Sequence, residues 1–320
     1  MDPRTLLLER IVHTLEAPVV DALALDALAC RSAAWASDAS APVGTPSLGC
    51  GRPFSVGSLA RVAEAATGRE WSVSVSPSLD ALDAATRERL ADAWTDDGLA
   101  EHASVASFAR FILELLAVGA PAELVSGAQR ALADEVEHAR LCFSLAAAYG
   151  GAPVGPGPLA IDAALDDGAA LPSLVARALV EGCVGETLAA LQAGVVAASA
   201  TDPAVAQVLR RIADDELEHA ALAWGFVRWA IEEGGLADAD ADALVAAAIA
   251  AAQAEADATI DGEASDRLAI HGRLDPTGEA LLRRDGARTV ILPALRGLAG
   301  RIRASAVATA RPRKIPALRA

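Results

Sequence analysis

The chain of 320 residues is poor in several things that large protein classes require. Aromatic residues are only 3% of it and β-branched runs are nearly absent, while alanine, leucine and valine dominate, so a sheet-based fold is excluded in favour of a mostly helical one. No stretch approaches the roughly 18 uninterrupted apolar residues that span a bilayer; the alanine-rich 244–252 is soon followed by Glu255 and Asp257. Positive charge is in deficit: the formal net charge of −16 argues against nucleic acid or an anionic membrane surface as partner. Met1 to Arg10, with Asp2 and Glu9, lacks the cationic start and apolar core of a signal peptide, so a cytoplasmic location is expected. The four cysteines, Cys30, Cys50, Cys142 and Cys183, form no Cys-x-x-Cys pair, which excludes a zinc ribbon or a rubredoxin-type iron centre. In a cytoplasmic chain they are expected as free thiols, with Cys142 and Cys183 as small core residues near the motifs described next.

Against this background stands one doubled word. Asp134-Glu135-Val136-Glu137-His138 and Asp215-Glu216-Leu217-Glu218-His219 each place a Glu three residues before a His. On a helix that spacing puts both side chains on one face, one turn apart, where they can grip one metal ion. Each word follows another glutamate at nearly the same interval, Glu101 to Glu135 (34 residues) and Glu181 to Glu216 (35 residues). Two helical hairpins repeating one plan predict a bundle of approximate two-fold symmetry with a pair of metal ions at its centre. Iron or manganese ions want hard carboxylates with a few imidazoles. The expected ligands are Glu101, Glu135, His138, Glu181, Glu216 and His219, and four carboxylates against two divalent ions make a neutral centre that tolerates burial. Metal-bound histidines need an acceptor on the other ring nitrogen, and Asp215 is placed to serve His138 as Asp134 is to serve His219. Glu137 and Glu218, between the motif members, are expected to face solvent. His102 points about 100° away from Glu101 and is expected in packing rather than in ligation; His13 and His271 have no partner pattern.

Glu186 complicates the third ligand helix. It lies five residues after Glu181, about 140° away on a regular α-helix, so both cannot face one site unless a π-bulge adds a residue to the turn. Gly182 and Gly185 within this segment favour such a bulge. Glu181 is the first choice as ligand by its alignment with Glu101, and Glu186 is a candidate extra ligand or catalytic acid/base group.

Around these motifs the chain divides into an irregular N-terminal region (1–76), a helical bundle (77–235) and a C-terminal helical extension with a basic tail (236–320). The first region has a helix pattern at 3–30, a Ser, Pro and Gly-rich stretch from Ser37 to Ser58, and a strand-like piece at Trp71–Val75. Helices are expected at 79–93, from an N-cap at Thr95 to Val118, from Pro121 to Tyr149, at 172–199 and at 203–233. The Gly and Pro-rich loop from Gly150 to Pro172 is too long for a tight turn and reads as the long crossover of a four-helix bundle. Two more helices are expected at 237–258 and 277–306, followed by Arg311-Pro312-Arg313-Lys314.

Glu101, Glu135-x-x-His138, Glu181 and Glu216-x-x-His219 together resemble the ligand plan of the ferritin-like, carboxylate-bridged di-metal superfamily over roughly 95–233, and the chain looks like bacterial ferritin-like domain proteins. The resemblance implies an all-α ferritin-like four-helix bundle holding two iron ions, with manganese as the alternative. The Asp-Glu-x-x-His form is similar to that of the oxygen-activating branch, which implies an O2-dependent diiron oxidoreductase acting on a small organic substrate, served by an electron donor and possible as a homodimer. Ala106, Phe108, Cys142 and Cys183 would line its apolar pocket. Cys142 stands where the ribonucleotide reductase small subunit has its radical tyrosine, which argues against that enzyme. The rival readings are a ferroxidase or iron-binding protein, with partly exposed ligands, and a dimanganese catalase-like protein, neither using an organic substrate.

Overall fold

The computed structural model describes residues 52–310, except Pro53, Ser58, Ala81, Asp167 and 263–267, with backbone only from 304 on. The expected helix at 3–30, most of the stretch from Ser37 to Ser58, His13, Cys30, Cys50 and the tail at 311–320 lie outside the described residues. What is described is all-α in character, and none of its helices is long and apolar enough to cross a membrane.

The first long helix, α1 (Ala84–Ala117), corrects an expectation, because the predicted breaks at 93 and Thr95 do not occur. Asp83 is its N-cap, accepting from the Thr86 N–H at 2.7 Å. Thr95 lies inside, its hydroxyl donating back to the Ala91 carbonyl at 2.8 Å, and Asp97 is buried rather than capping. Gly119, at φ 68°, stops the chain after Val118, and Pro121 starts α2 (Ala122–Gly150). The short link makes α1 and α2 an antiparallel hairpin with the most extensive helix contact in the molecule.

Trp71–Val75, expected as a strand, is an irregular segment laid across this hairpin. The Val73 N–H is satisfied by the Ser144 hydroxyl of α2 at 2.8 Å rather than by a strand partner, and Trp71 meets His102 edge-on with centroids 5.0 Å apart. The described strands are two residues long: β1 (Ser55–Val56) pairs with β2 (Leu59–Ala60), and β3 (Ala65–Ala66) pairs with β4 (Gly155–Pro156). The second pairing fastens the crossover that follows α2 to the segment that precedes α1.

The third helical run has three parts in continuous succession: α3 (Leu171–Arg177), a π-helical stretch (Ala178–Glu186) and α4 (Thr187–Ser199). Proline at the second position suits its start. The π-helix lies hard against α5 (Pro203–Glu232), where a Cβ at Gly182 would come within 2.5 Å of the Ala223 Cβ. Asp202 caps α5 through the N–H groups of Ala204 and Val205, at 2.8 and 3.1 Å. α4 and α5 form the second hairpin, and α5 also packs on α2.

After α5 come α6 (Asp238–Ala256), a 3₁₀ turn (Ala269–His271), α7 (Pro276–Gly286), a π turn (Ala287–Ile291) and α8 (Leu292–Ala310). The single helix expected at 277–306 is therefore interrupted by that π turn. These helices share a core with the two hairpins: Phe108, Leu179, Cys183, Trp224 and Phe226 belong to the same buried cluster as Val245, Ile291 and Leu295. A second cluster, with Leu90, Trp94, Cys142, Tyr149 and Ile212, lies further along the hairpins. Asp97 and Arg273 join the extension to α1 through a buried, bidentate ion pair, with the guanidinium also over the Trp94 ring.

Candidate metal centre

Glu and His three apart on α2 and again on α5 turn their side chains to the same interior space, as one helical turn dictates. Glu101 reaches this space from α1, and Glu186 reaches it from the end of the π-helical stretch. All six side chains are at most 2% exposed. They fall into two groups whose candidate ligand atoms lie within 4.8 Å of one another: Glu101, Glu135, His138 and Glu216, and Glu135, Glu186, Glu216 and His219. Glu135 and Glu216 belong to both. His138 Nδ1 stands 3.8 Å from Glu135 Oε2 and 3.5 Å from Glu216 Oε1; His219 Nδ1 stands 3.2 Å from Glu135 Oε1 and 3.7 Å from Glu216 Oε2. Each shared carboxylate thus turns one oxygen to each imidazole.

His138 Nε2 bonds Asp215 Oδ2 at 3.0 Å, as the sequence suggested, whereas His219 Nε2 lies 3.5 Å from Asp134 Oδ2 without a hydrogen bond. Both contacts cross between α2 and α5 and leave each Nδ1 facing inward. The two halves are not equal, since Asp215 is backed by Arg211 at 3.6 Å, which also approaches Glu137. Glu137 additionally pairs with Arg140, so it is only partly exposed, whereas Glu218 is exposed.

Electrostatics shows what the cluster lacks. Burial pushes the Glu186 carboxyl well above the usual carboxylate range, and neighbouring Glu216 and Glu135 push it further. Burial would also raise Glu216, but the two imidazoles outweigh it and hold that carboxyl well below its ordinary value. Burial lowers the His138 pKa, yet Asp215, Glu216 and Glu135 together lift it to about 9; His219 is lifted well above its ordinary value by Asp134, Glu135 and Glu216. The carboxylates therefore draw positive charge into an interior that excludes water. No carboxylate oxygen of Glu135, Glu186 or Glu216 makes a hydrogen bond, and neither does Nδ1 of His138 or His219. Buried groups of this kind are nearly always bonded, and oxygen with imidazole donors is the set that hard and borderline divalent cations take. The residues could hold a metal ion of this kind.

Glu181, the first choice by alignment, is not brought into either group. Its Oε2 lies 3.5 Å from Arg52 Nε and 3.7 Å from Arg110 Nη2. The π-helix foreseen between Glu181 and Glu186 is present, and it turns Glu186, not Glu181, into the cluster. Among the proposed pocket residues, Phe108 packs edge-on against His219 with centroids 5.2 Å apart, Cys142 and Cys183 are buried free thiols, and Ala106 is half-buried. Burial raises the Cys183 thiol far above its ordinary value, so it stays protonated. His102 meets Trp71 edge-on and His271 meets Tyr149 edge-on, both outside the cluster.

Sequence reasoning missed the arginines beside Glu181. Arg52 and Arg110 are buried with Glu114, which also pairs with Arg177. Arg110 and Glu114 stand four apart on α1, a spacing that was legible as a pair; Arg52, in a Gly and Pro-rich stretch, carried no such signal. No protein-family model, no curated protein and no solved structure matches the chain.

Proposed function

We propose that the chain is a ferritin-like di-metal protein and that it catalyses O2-dependent oxidation of a small organic substrate. Glu101, Glu135, His138 and Glu216 would hold one ion, and Glu135, Glu186, Glu216 and His219 the other, with Glu135 and Glu216 bridging. The observation that carries this reading is the pair of carboxylates shared by two buried groups, with no hydrogen bond at any of their oxygens. A pair of iron ions, when bound, supplies the electrons and O2 affinity that such an oxidation needs.

The chain's own residues do the rest. Asp215 and Asp134 fix the imidazole orientations from outside. Phe108 shields His219 from one side with an apolar ring. Burial and the neighbouring Glu216 and Glu135 favour the protonated carboxyl of Glu186 in the metal-free protein, and ligation would displace that proton. Burial of every ligand favours this reading over iron storage, which requires ligands that ions can reach and leave readily. Manganese suits the same donors, and we assign iron on the chemistry of O2. An electron donor and a cytoplasmic setting complete the proposal.

Anaerobic titration of the metal-free protein with ferrous ion tests it, followed by O2 uptake in the presence of a reductant. Two ions per chain and sustained O2 consumption are expected. Unchanged metal content in Glu135→Ala and Glu216→Ala variants would overturn the site, and O2 uptake that ends with stoichiometric ferric product would overturn the oxidase.

A further inference from the structure

The π-helical stretch Ala178–Glu186 is nine residues long, where such i to i+5 bonding ordinarily lasts a single turn. Something other than local preference holds it, because α-helical bonding is the default for these residues. Two carboxylates of this stretch leave it in different directions. Glu186 joins Glu135, Glu216 and His219. Glu181 goes to Arg52 at 3.5 Å and Arg110 at 3.7 Å.

Both arginines are anchored by parts of the molecule outside the stretch. The Arg52 carbonyl accepts from the Ser104 hydroxyl of α1 at 2.7 Å, and its guanidinium lies over the rings of Phe111 and Phe108, 4.6 and 5.4 Å from their centroids. Arg110 donates to the Ser55 carbonyl, lies over Phe54 and approaches Glu114 at 3.9 Å. On the opposite side the close approach at Gly182 keeps the stretch against Ala223 of α5. The stretch is therefore tied to α1 at Glu181, to α5 at Gly182 and to the ligand cluster at Glu186.

We propose that Glu181 is a positioning residue: its pairs with Arg52 and Arg110 lock the π-helical register that delivers Glu186 to the metal centre. This rests on the metal reading above. If the lock is released, one residue of relaxation toward α-helical bonding turns the following side chains by about 100°, which takes the Glu186 carboxylate out of the cluster. The carboxylate that alignment with Glu101 marked as a ligand is, in this chain, the one that sets the frame for its neighbour.

The test is Glu181→Gln, which keeps size and removes charge, compared with Glu186→Ala and with Arg110→Lys, which retains the cation. Ferrous binding is measured anaerobically, and amide hydrogen exchange is followed across 178–186 in metal-free protein. Glu181→Gln should weaken one of two ions by about 10 to 100-fold, the range expected when a ligand's support is lost. It should be the same ion that Glu186→Ala loses, with Arg110→Lys, which keeps the charge, weakened less than Glu181→Gln, and exchange faster in 178–186 alone. Two ions bound with wild-type affinity, or unchanged exchange, would overturn the lock. If Glu181→Gln does not fold, Glu181→Asp, with the charge kept on a shorter arm, carries the same two readouts. A wild-type chain that binds no metal would overturn the metal reading, while the exchange comparison still decides the lock.

Discussion

His138 and Asp215 sit on different hairpins, 77 residues apart, and meet Nε2 to Oδ2 at 3.0 Å, so α5 fixes the orientation of the His138 ring on α2. Asp134 serves His219 at the longer distance of 3.5 Å. Asp215→Asn should weaken ion binding by about 10 to 100-fold, and Asp134→Asn by less. Equal affinities for wild type and Asp215→Asn in a metal titration would refute this role.

Because Glu135 and Glu216 belong to both groups, either one alone should control the stabilisation that metal gives. At a free metal concentration a hundred times Kd, binding should stabilise wild type by about 2.7 kcal/mol for each ion held, seen as a rise in Tm. Glu216→Ala should abolish the rise. A full rise in that variant would remove Glu216 from the site.

Metal uptake should expel protons. His138, lifted to about 9 from an ordinary value of 6.5, favours the cation at neutral pH in the metal-free protein, His219 is shifted in the same direction, and a ligand nitrogen must be neutral. Affinity should rise with pH toward about 9, and calorimetry in two buffers of unlike ionisation heat should detect the released protons. For folding the sign runs the other way. A raised histidine pKa contributes stability that is complete below the unfolded value near 6.5 and is lost as pH climbs through about 9, so the metal-free protein should be progressively easier to unfold with urea over that interval. A flat profile would show that these imidazoles are not charged.

Asp97→Ala would leave the Arg273 guanidinium buried without its carboxylate partner. Breaking such a pair from one side typically destabilises by about 3 to 5 kcal/mol. Urea unfolding that shows less than about 1 kcal/mol would mean that water replaces the carboxylate easily.

The parts of the site legible in the sequence are those set by spacing along one helix. Glu135 with His138 and Glu216 with His219 follow from three-residue spacing, whereas the five between Glu181 and Glu186 suggested a bulge turning both to one site, and the nine-residue π-helix brings only Glu186 there. Which of those two glutamates enters the cluster was not legible, because the answer lies in Arg52 and Arg110, whose approach depends on how the segment before α1 folds over it. Thr95-Asp96-Asp97 misled for a related reason. The three residues have the composition of a helix start, but Asp97 is taken by Arg273 from far along the chain, and the helix runs straight through.

The pairing of Ala65–Ala66 with Gly155–Pro156 closes the chain into a loop around the first hairpin. Helix contacts within each hairpin are near in sequence and can form early, whereas a fastening between such distant residues must wait for the entropy of a long loop to be overcome. The hairpins should therefore form first, with their docking and the fastening both following as long-range steps. Glu135 meets His219, and Glu216 meets His138, only at the docking step, so a nascent chain has no finished cage with which to seize an ion prematurely.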